Sequence, residues 1–265
     1  MKGKFAELNT RSVRSVGDYH LHTFASDGRT TVARHAAIAK KRGLCEIAIA
    51  DHSFATMLCH MTERKFKAQK RQISRLSSCG VKVLQGIEGN IVGHRLDVPQ
   101  YAIRGCDVLI AGFHRYISPK FAGEDKKWIR VNGFGSSAAK EKIVYQNTEA
   151  YIAVMESYPI DVLAHIGHRA PIDFAAVCEC AARHGVYIEL NAKHLDALDG
   201  GIDEAIKSGV KFIVGSDAHD TKRTGKFNAV AEFIEKHSVP IDRVYGIDGR
   251  LPVFKDKRSW TYGNV

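Results

Sequence analysis

Short apolar segments alternate along the chain with longer segments whose apolar positions recur at helical spacing. Each of the short segments is typical of a β-strand and is followed by a helical pattern. The predicted strands span residues 16–21, 46–50, 81–87, 108–113, 162–165, 186–190 and 212–215. Regular alternation of strand and helix predicts an α/β fold with parallel strands and helices outside them. No linker-like segment divides the 265 residues, so we expect a single barrel domain over residues 1–265.

Capping and breaking residues in the sequence predict where several helices begin and end, and composition predicts one long loop. The predicted start and stop pairs are Thr30 or Thr31 with Gly43, Thr62 with Gly80, Pro171 with Gly185, and Asp203 with Gly209. Residues 115–137 are aromatic, charged and glycine-rich, and they are too many for a simple connection. We therefore expect residues 115–137 to form a loop that covers a site.

Composition and charge narrow the function classes. No apolar run approaches the roughly 20 residues that a membrane-spanning helix needs, so we expect a cytoplasmic protein with no membrane contact. The net charge of +10 favours an anionic partner. The densest basic segment, residues 63–75, has helical apolar spacing and is better explained as a solvated helix than as a nucleic-acid surface.

Six cysteines are scattered along the chain without a Cys-x-x-Cys pair, which predicts reduced thiols in the core. Cys178 and Cys180 are two residues apart in a helical segment and therefore do not face each other. We gave them little weight as metal ligands. His35 also lies in a predicted helix, and we expect it at the surface.

Polar residues that can bind metals follow almost every predicted strand. They are His20, His22, His52, Glu88, His114, His165, Glu189, Asn191, Asp217 and His219. In a parallel barrel the carboxyl ends of the strands meet at one face, where active sites are built. Each residue alone has an ordinary structural explanation, but the repetition at successive strand ends predicts a shared site. Histidine and carboxylate ligands without cysteine suit zinc, manganese or iron.

The segments "DYHLHTFASDG", "IAIADHS", "GIEGNI", "DVLIAGFH", "VLAHIG", "IELN" and "VGSDAH" occur in this order. The series resembles the polymerase and histidinol phosphatase (PHP) superfamily, in particular its small stand-alone metal-dependent phosphoesterases. The resemblance runs from about residue 17 to about residue 220. It implies a distorted (β/α)7 TIM-like barrel that holds up to three divalent metal ions, zinc, manganese or iron, at the carboxyl ends of its strands.

The resemblance also implies how the ligands are shared among the ions. One ion would be held by His20, His22, Glu88 and Asp217, and Glu88 would bridge to a second ion held by His114 and His165. Asp27, His52 and His219 would hold the third. Some relatives have histidine in place of Asp27, and a carboxylate there favours a harder ion. The chain departs from the family pattern at Ile166 and at residues 192–194, which leaves the ligand set intact and affects the expected substrate.

Clustered divalent ions would activate water as a bridging hydroxide and neutralise the phosphoryl oxygens, so no protein nucleophile is needed. His168 and His219 are the candidate proton donors to the leaving group. The candidate phosphate-binding residues adjoin the ligand segments and are Arg29, Arg115, Arg169, Lys193 and Arg223.

The sequence therefore predicts a metal-dependent phosphomonoesterase acting on a small anionic metabolite, for example histidinol phosphate or a nucleotide. A phosphodiesterase or exonuclease acting on nucleic acid suits the basic charge and is the first alternative. A non-catalytic metal-binding PHP module is the second. A metal-dependent amidohydrolase ranks lower, because that chemistry typically bridges its ions with a modified lysine and Glu88 stands at the bridging position here.

Overall fold

The computed structural model describes residues 15–247 and 249–262. Its strands in chain order are β1 (Gly17–Leu21), β2 (Glu46–Ile49), β3 (Lys82–Val92), β4 (Arg95–Leu96), β5 (Val108–Gly112), β6 (Val162–Leu163), β7 (Tyr187–Asn191), β8 (Phe212–Gly215) and β9 (Val244–Tyr245). Its α-helices are α1 (Val32–Lys41), α2 (Glu63–Ser74), α3 (Gln100–Gly105), α4 (Pro119–Ala122), α5 (Lys126–Phe134), α6 (Ser137–Glu141), α7 (Val144–Ser157), α8 (Phe174–His184), α9 (Asp196–Asp199), α10 (Ile202–Lys207) and α11 (Asn228–His237).

Eight strands pair in parallel in the order β1-β2-β3-β5-β6-β7-β8-β9, and β4 forms a hairpin with β3. The two ends of this sheet meet and nearly close a barrel. Leu21 of β1 pairs with Ala218 just beyond β8, and the Val16 N–H donates to Gly246 O at 2.7 Å just beyond β9. The short strand β9 thus fills the gap between β8 and the beginning of β1.

Apolar side chains pack on both sides of the barrel wall. The interior cluster includes Tyr19, Leu84, Ile110 and Tyr187, and a larger cluster packs the helices against the outside of the sheet. Strands that are covered on both faces are buried throughout, as parallel sheets require. None of the described helices is long and apolar enough to cross a membrane.

The predicted α/β barrel is confirmed, and each of the seven predicted strands matches an observed strand to within a few residues. The parallel strand β9 was missed because Val244 and Tyr245 stand between Arg243 and Gly246, so no apolar run extends beyond the strand itself as it does at β6. Thr31 and Thr62 cap α1 and α2 as predicted, accepting from the Arg34 and Lys65 amides. Gly80 lies several residues beyond the end of α2, so it does not end that helix.

Three local predictions were wrong. Residues 115–137 do not form a long loop. They contain α4, α5 and the beginning of α6, and hydrogen bonds within these short helices satisfy the backbone groups of the segment. Helix α8 is capped by Asp173, whose side chain accepts from the Ala176 amide, so Pro171 precedes the helix. Asp203 lies inside α10 and Gly201 is the cap residue.

Candidate metal centre

The ends of the barrel strands bring the predicted ligands into one buried cluster. His20 lies on β1 and His22 directly after it, and their ring centroids are 5.0 Å apart. An irregularity in the pairing of β1 with β2 falls between Asp18 and Leu21. A bulge of this kind re-aims side chains at the end of a strand. Both imidazoles are at most 1% exposed, so the cluster begins beneath the surface of the barrel mouth.

Glu88 lies at the middle of the cluster and is 1% exposed. Five imidazoles approach its two carboxylate oxygens. The contacts are His52 Nδ1 at 2.8 Å, His165 Nε2 at 3.0 Å, His114 Nε2 at 3.1 Å, His20 Nε2 at 3.3 Å and His22 Nε2 at 3.7 Å. A single buried carboxylate within reach of five imidazoles from four strand ends has the placement expected of a bridging ligand.

The other two carboxylates flank Glu88 on the side of β1. Asp27 Oδ2 lies 3.1 Å from His219 Nε2 and 3.5 Å from His52 Nε2. Asp217 Oδ1 lies 3.3 Å from His219 Nδ1 and 3.5 Å from His22 Nε2. Three groups of these side chains bring their ligand atoms within 4.8 Å of one another. The groups are His22 with Asp27, His52 and His219; His20 with His22 and Asp217; and His52 with Glu88 and His114.

Many polar atoms of this cluster are buried without a partner in hydrogen-bond geometry among the described residues, even where an oppositely charged atom is close, as Glu88 Oε2 is to His52 Nδ1 at 2.8 Å. They are His20 Nε2, His22 Nε2, His52 Nδ1, His114 Nδ1, His165 Nδ1 and Glu88 Oε2. Leaving a buried polar group unsatisfied costs about 1–3 kcal/mol, so folded chains rarely tolerate several in one place. Divalent cations would satisfy imidazole and carboxylate lone pairs together. The donor set therefore fits the metal ions that the strand-end pattern predicts.

The charges in the cluster compensate one another. Burial raises the pKa of Glu88, but the neighbouring imidazoles of His114, His20 and His52 outweigh it and hold that pKa well below its usual range. Burial alone would lower the pKa of His20, but the Glu189 and Glu88 carboxylates raise it well above the ordinary value. In the metal-free chain, protons on some imidazoles thus balance the carboxylates that cations would otherwise balance.

A layer of supporting residues orients the ligands from behind. Glu189 Oε1 lies 2.7 Å from His20 Nδ1, and Glu189 Oε2 accepts from the His165 amide at 3.1 Å and from Asn191 Nδ2 at 2.9 Å. A carboxylate on the second nitrogen of a metal-binding imidazole fixes its tautomer and its orientation. Gly215 leaves room for this carboxylate, since a Cβ there would lie 1.9 Å from Glu189 Oε1.

Two further buried groups hold the loop that follows β1. Asp51 accepts from the Thr23 amide at 2.7 Å and from the Ser26 amide at 3.2 Å, which fixes the approach to Asp27. His35 Nε2 lies 2.8 Å from the backbone oxygen of His22. Our expectation of a surface His35 was wrong: the ring is completely buried because α1 packs it against this loop.

Sequence reasoning noted Glu189 at a strand end but did not include it among the site residues, and it missed Asp51 and His35. The strand-end rule that identified the ligands also applies to Asp51, which immediately precedes His52. No signal in the sequence distinguishes His35 from a surface histidine on a helix. Its role depends on which face of α1 meets the β1 loop.

A cleft opens above the cluster, and its outer wall is cationic. The lining includes Arg115, Arg169 and Lys193, and all of its carboxylates, those of Asp27, Glu88 and Asp217, belong to the candidate ligand set. Arg29 and Arg223 are exposed and are not among the residues that line the cleft. The structure thus brings three of the five candidate phosphate-binding residues to the site.

Arg115 and Arg169 are held at the cleft without a carboxylate partner in the described part of the chain. The Arg115 guanidinium lies over the rings of Tyr116 and Phe134, at 4.5 and 5.7 Å from their centroids.

Arg169 adopts a positive φ of 64°. His165 and Asp217 do so as well, at 33° and 48°. Such conformations cost roughly 1–3 kcal/mol each and cluster at functional sites.

His168 and His194 form a ring pair beside the cluster, with centroids 4.0 Å apart. Burial, with His194 and His165 adding positive charge, lowers the pKa of His168 to about 3. Burial and His165 lower the pKa of His194 to about 4. Both rings are therefore neutral at neutral pH in the metal-free chain. The candidate proton donor His168 lines the cleft, as does His219.

Comparison with known proteins decides the family. The PHP domain family matches residues 18–198, about two thirds of the chain. The chain belongs to the PHP domain family. A protein of Aliivibrio fischeri named "Probable phosphatase" is 31% identical over 239 residues, covering 86% of this chain and 87% of its own. The "Probable phosphatase YcdX" of Escherichia coli is 30% identical over 247 residues, covering 88% and 90%. These relatives confirm the predicted membership and the predicted class of enzyme, a phosphatase.

A solved structure shares the fold. The histidinol phosphate phosphatase of Lactococcus lactis, crystallised with zinc, L-histidinol and phosphate, superposes with a TM-score of 0.60. It is 17% identical, and the alignment covers 92% of this chain and 98% of that one. The likeness confirms the TIM-like barrel for the PHP protein described here.

Proposed function

We propose that this PHP protein hydrolyses a small phosphomonoester at a cluster of up to three divalent ions, zinc, manganese or iron. The observation that carries the proposal is Glu88, a buried carboxylate surrounded by five imidazoles at the base of a cleft. Outside the candidate ligand set, the charged residues that line this cleft are all cationic: Arg115, Arg169 and Lys193. The L. lactis protein of the same fold was crystallised with zinc, L-histidinol and phosphate, so a divalent metal ion and a phosphate bind to that protein.

Nine residues would hold the ions. His20, His22, Glu88 and Asp217 would bind one ion, Glu88 with His114 and His165 a second, and Asp27 with His52 and His219 the third. Divalent ions at such a site lower the pKa of bound water toward roughly 7 and neutralise charge on phosphoryl oxygens.

The chain's own residues complete the site. Within the described residues Arg115 and Arg169 have no carboxylate partner, so both would supply positive charge to the anionic substrate. Guanidinium groups present paired donors that match phosphate oxygens. Lys193 Nζ lies 3.5 Å from Asp217 Oδ2, which holds the ammonium at the inner edge of the cleft. His219 and His168 line the cleft and stay our candidate proton donors to the leaving oxygen, but His168 is neutral at neutral pH in the metal-free chain and would first have to gain a proton.

The proposal is tested by assaying the purified chain with added zinc, manganese or iron(II) on phosphomonoesters, phosphodiesters and short oligonucleotides. We expect phosphomonoesters to be hydrolysed most efficiently. Preferential hydrolysis of diesters or oligonucleotides would establish the phosphodiesterase alternative instead. Binding of the metal without hydrolysis of any ester would establish a non-catalytic module.

An arginine variant sharpens the assignment of the cleft. Arg169→Ala should raise KM for a phosphomonoester by about 10-fold or more, since a charge-assisted contact is worth roughly 1.5–3 kcal/mol. Arg223→Ala is the matched control, because Arg223 is exposed and does not line the cleft. Equal effects of the two substitutions would place the substrate elsewhere.

A further inference from the structure

A second group of metal-binding side chains lies on the helical layer outside the barrel. Glu156 lies near the end of α7, and Cys180 and His184 lie four residues apart on α8. Their carboxylate, thiol and imidazole ligand atoms all lie within 4.8 Å of one another. None of the three lines the cleft, and none belongs to the candidate ligand set of the cluster.

The spacing on α8 explains how two of these ligands meet. Residues four apart on a helix lie one above the other on the same face, so Cys180 and His184 form a ligand pair along one helix. Cys178, two residues before Cys180, does not share this face. The neighbouring helix α7 supplies Glu156. The sequence alone did not show this group, because its third member lies in a different helix.

The electrostatics of the group favour a cation. Burial raises the pKa of the Cys180 thiol and the Glu156 carboxylate raises it further, while Arg183 opposes both. Neither Glu156 nor His184 makes a salt bridge or a side-chain hydrogen bond within the described ranges. A divalent ion would replace the thiol proton, balance the carboxylate and use the free nitrogen lone pair of the imidazole.

We propose that Glu156, Cys180 and His184 form a separate site for a single zinc ion. Thiolate, imidazole and carboxylate together are ligands that zinc accepts, whereas magnesium and calcium prefer oxygen alone. Tetrahedral zinc would bring the three ligand atoms to roughly 3.3–3.8 Å from one another, given the usual zinc–ligand distances. The exposed Glu156 side chain and the half-buried His184 can make that adjustment, and water would complete the coordination.

The site would join the two helices that flank β6 in the chain. Helix α7 precedes β6, and α8 follows the segment that contains His165 and Arg169. An ion held between Glu156 and α8 would therefore stabilise the outer layer behind this part of the barrel. Binding would release one proton from the Cys180 thiol for each ion bound.

Cobalt(II) gives a test that the metal cluster of the cleft cannot mimic. Thiolate coordination to cobalt(II) produces a charge-transfer absorption in the near ultraviolet, and the candidate cluster contains no thiolate. We expect the full chain, freed of metal by chelation and titrated with Co²⁺, to develop this absorption to a limit of one thiolate-bound ion per chain. Added Zn²⁺ should abolish the band by displacement.

Matched cysteine variants identify the ligand. Cys180→Ser should abolish the band, whereas Cys178→Ser should retain it, because Cys178 is equally buried on the same helix but is not part of the group. Cys59→Ser should also retain it, although Cys59 lines the cleft. Absence of the band in the unmodified chain, or its loss in Cys59→Ser rather than in Cys180→Ser, would overturn the proposal.

Substitution of a second, less buried ligand tests the proposal even if Cys180→Ser fails to fold. His184→Gln changes a half-buried side chain. Loss of a residue that only supports a metal ligand weakens metal binding by roughly 10- to 100-fold, and loss of the ligand His184 should weaken cobalt binding at the thiolate site by at least as much. Phosphatase activity should stay unchanged in His184→Gln, which separates this site from the proposed catalytic cluster. An unchanged affinity for cobalt would remove His184, and with it the site.

Discussion

The two ends of the barrel both bury charged side chains, but they satisfy them in different ways. At the end opposite the cleft, Asp161 accepts from the Leu109 amide at 2.8 Å, from the Lys255 amide at 2.8 Å and from Lys257 Nζ at 2.6 Å. Lys257 Nζ also donates to Asp107 O at 3.0 Å and to Lys255 O at 2.9 Å. This ion pair is fully hydrogen-bonded by the chain itself.

At the cleft end, the hydrogen bonding of the buried charged groups is incomplete. Glu88 Oε2 and five ring nitrogens of the cluster are buried, and none of them has a partner in hydrogen-bond geometry in the described residues, although Glu88 Oε2 lies 2.8 Å from His52 Nδ1. The comparison teaches that burial of charge alone does not indicate function. A buried pair whose donors and acceptors are all used is structural, whereas a buried cluster with unused lone pairs that face one another is arranged for a ligand.

The largest expected effect comes from removing the charge at the centre of the cleft end. Glu88→Gln should lower kcat/KM of the proposed phosphatase by at least about 1,000-fold, or ~4 kcal/mol, because an amide cannot bridge two cations as a carboxylate does. Steady-state kinetics with metal analysis measures this. Glu179→Gln, an exposed residue of α8, is the control. Full activity in Glu88→Gln would remove the cluster from catalysis.

At the opposite end, Lys257→Met should lower the free energy of unfolding by about 3–5 kcal/mol, because it leaves the Asp161 carboxylate buried without its counter-charge. Activity per folded molecule should be unchanged. The control is Lys236→Met, which breaks an exposed pair of the same 2.6 Å length with Asp199 and should cost less than about 1 kcal/mol. Denaturant unfolding of the three proteins measures the difference. Equal losses would contradict a structural role for the buried pair.

A smaller effect is expected one layer behind the ligands. Glu189→Gln keeps the shape of the side chain but weakens its hold on His20 Nδ1. We expect roughly 10- to 100-fold weaker metal binding or activity, as is usual for residues that support a metal ligand. The variant should recover activity when the concentration of metal is raised. A loss as large as that of Glu88→Gln would mean that Glu189 is itself a ligand.

A further expected effect concerns the pH dependence of stability. In the metal-free chain, burial lowers the pKa of His168 to about 3 and of His194 to about 4, compared with about 6.5 in the unfolded chain. The unfolded chain therefore takes up these protons first, so the free energy of unfolding should fall as pH decreases from 6.5 toward 4. His168→Asn combined with His194→Asn should flatten this dependence. A slope as steep as in the unmodified chain would show that both rings are protonated in the folded state.

Much of the site was predictable because the ligands obey a rule that is visible in one dimension. His52 and His114 follow short apolar segments, and parallel strands must bring their carboxyl ends to one face. The helical content of residues 115–137 was not predictable in the same way. Its helices are short, and the buried face of α5 combines Ile129 with Asn132 and Gly133, which are not apolar and therefore give no hydrophobic periodicity.

The order of strands and helices, the α/β class and the set of candidate metal-binding side chains at the strand ends could all be predicted from the sequence, because periodicity and strand direction are local properties. Only the tertiary structure decided which buried groups are satisfied. It showed that His35 and Glu189 contact the candidate ligands His22 and His20 and that Asp161 is paired with Lys257. It also showed that Glu156 joins Cys180 and His184. These contacts join residues far apart in the chain, so they depend on how the elements pack and not on any pattern along the chain.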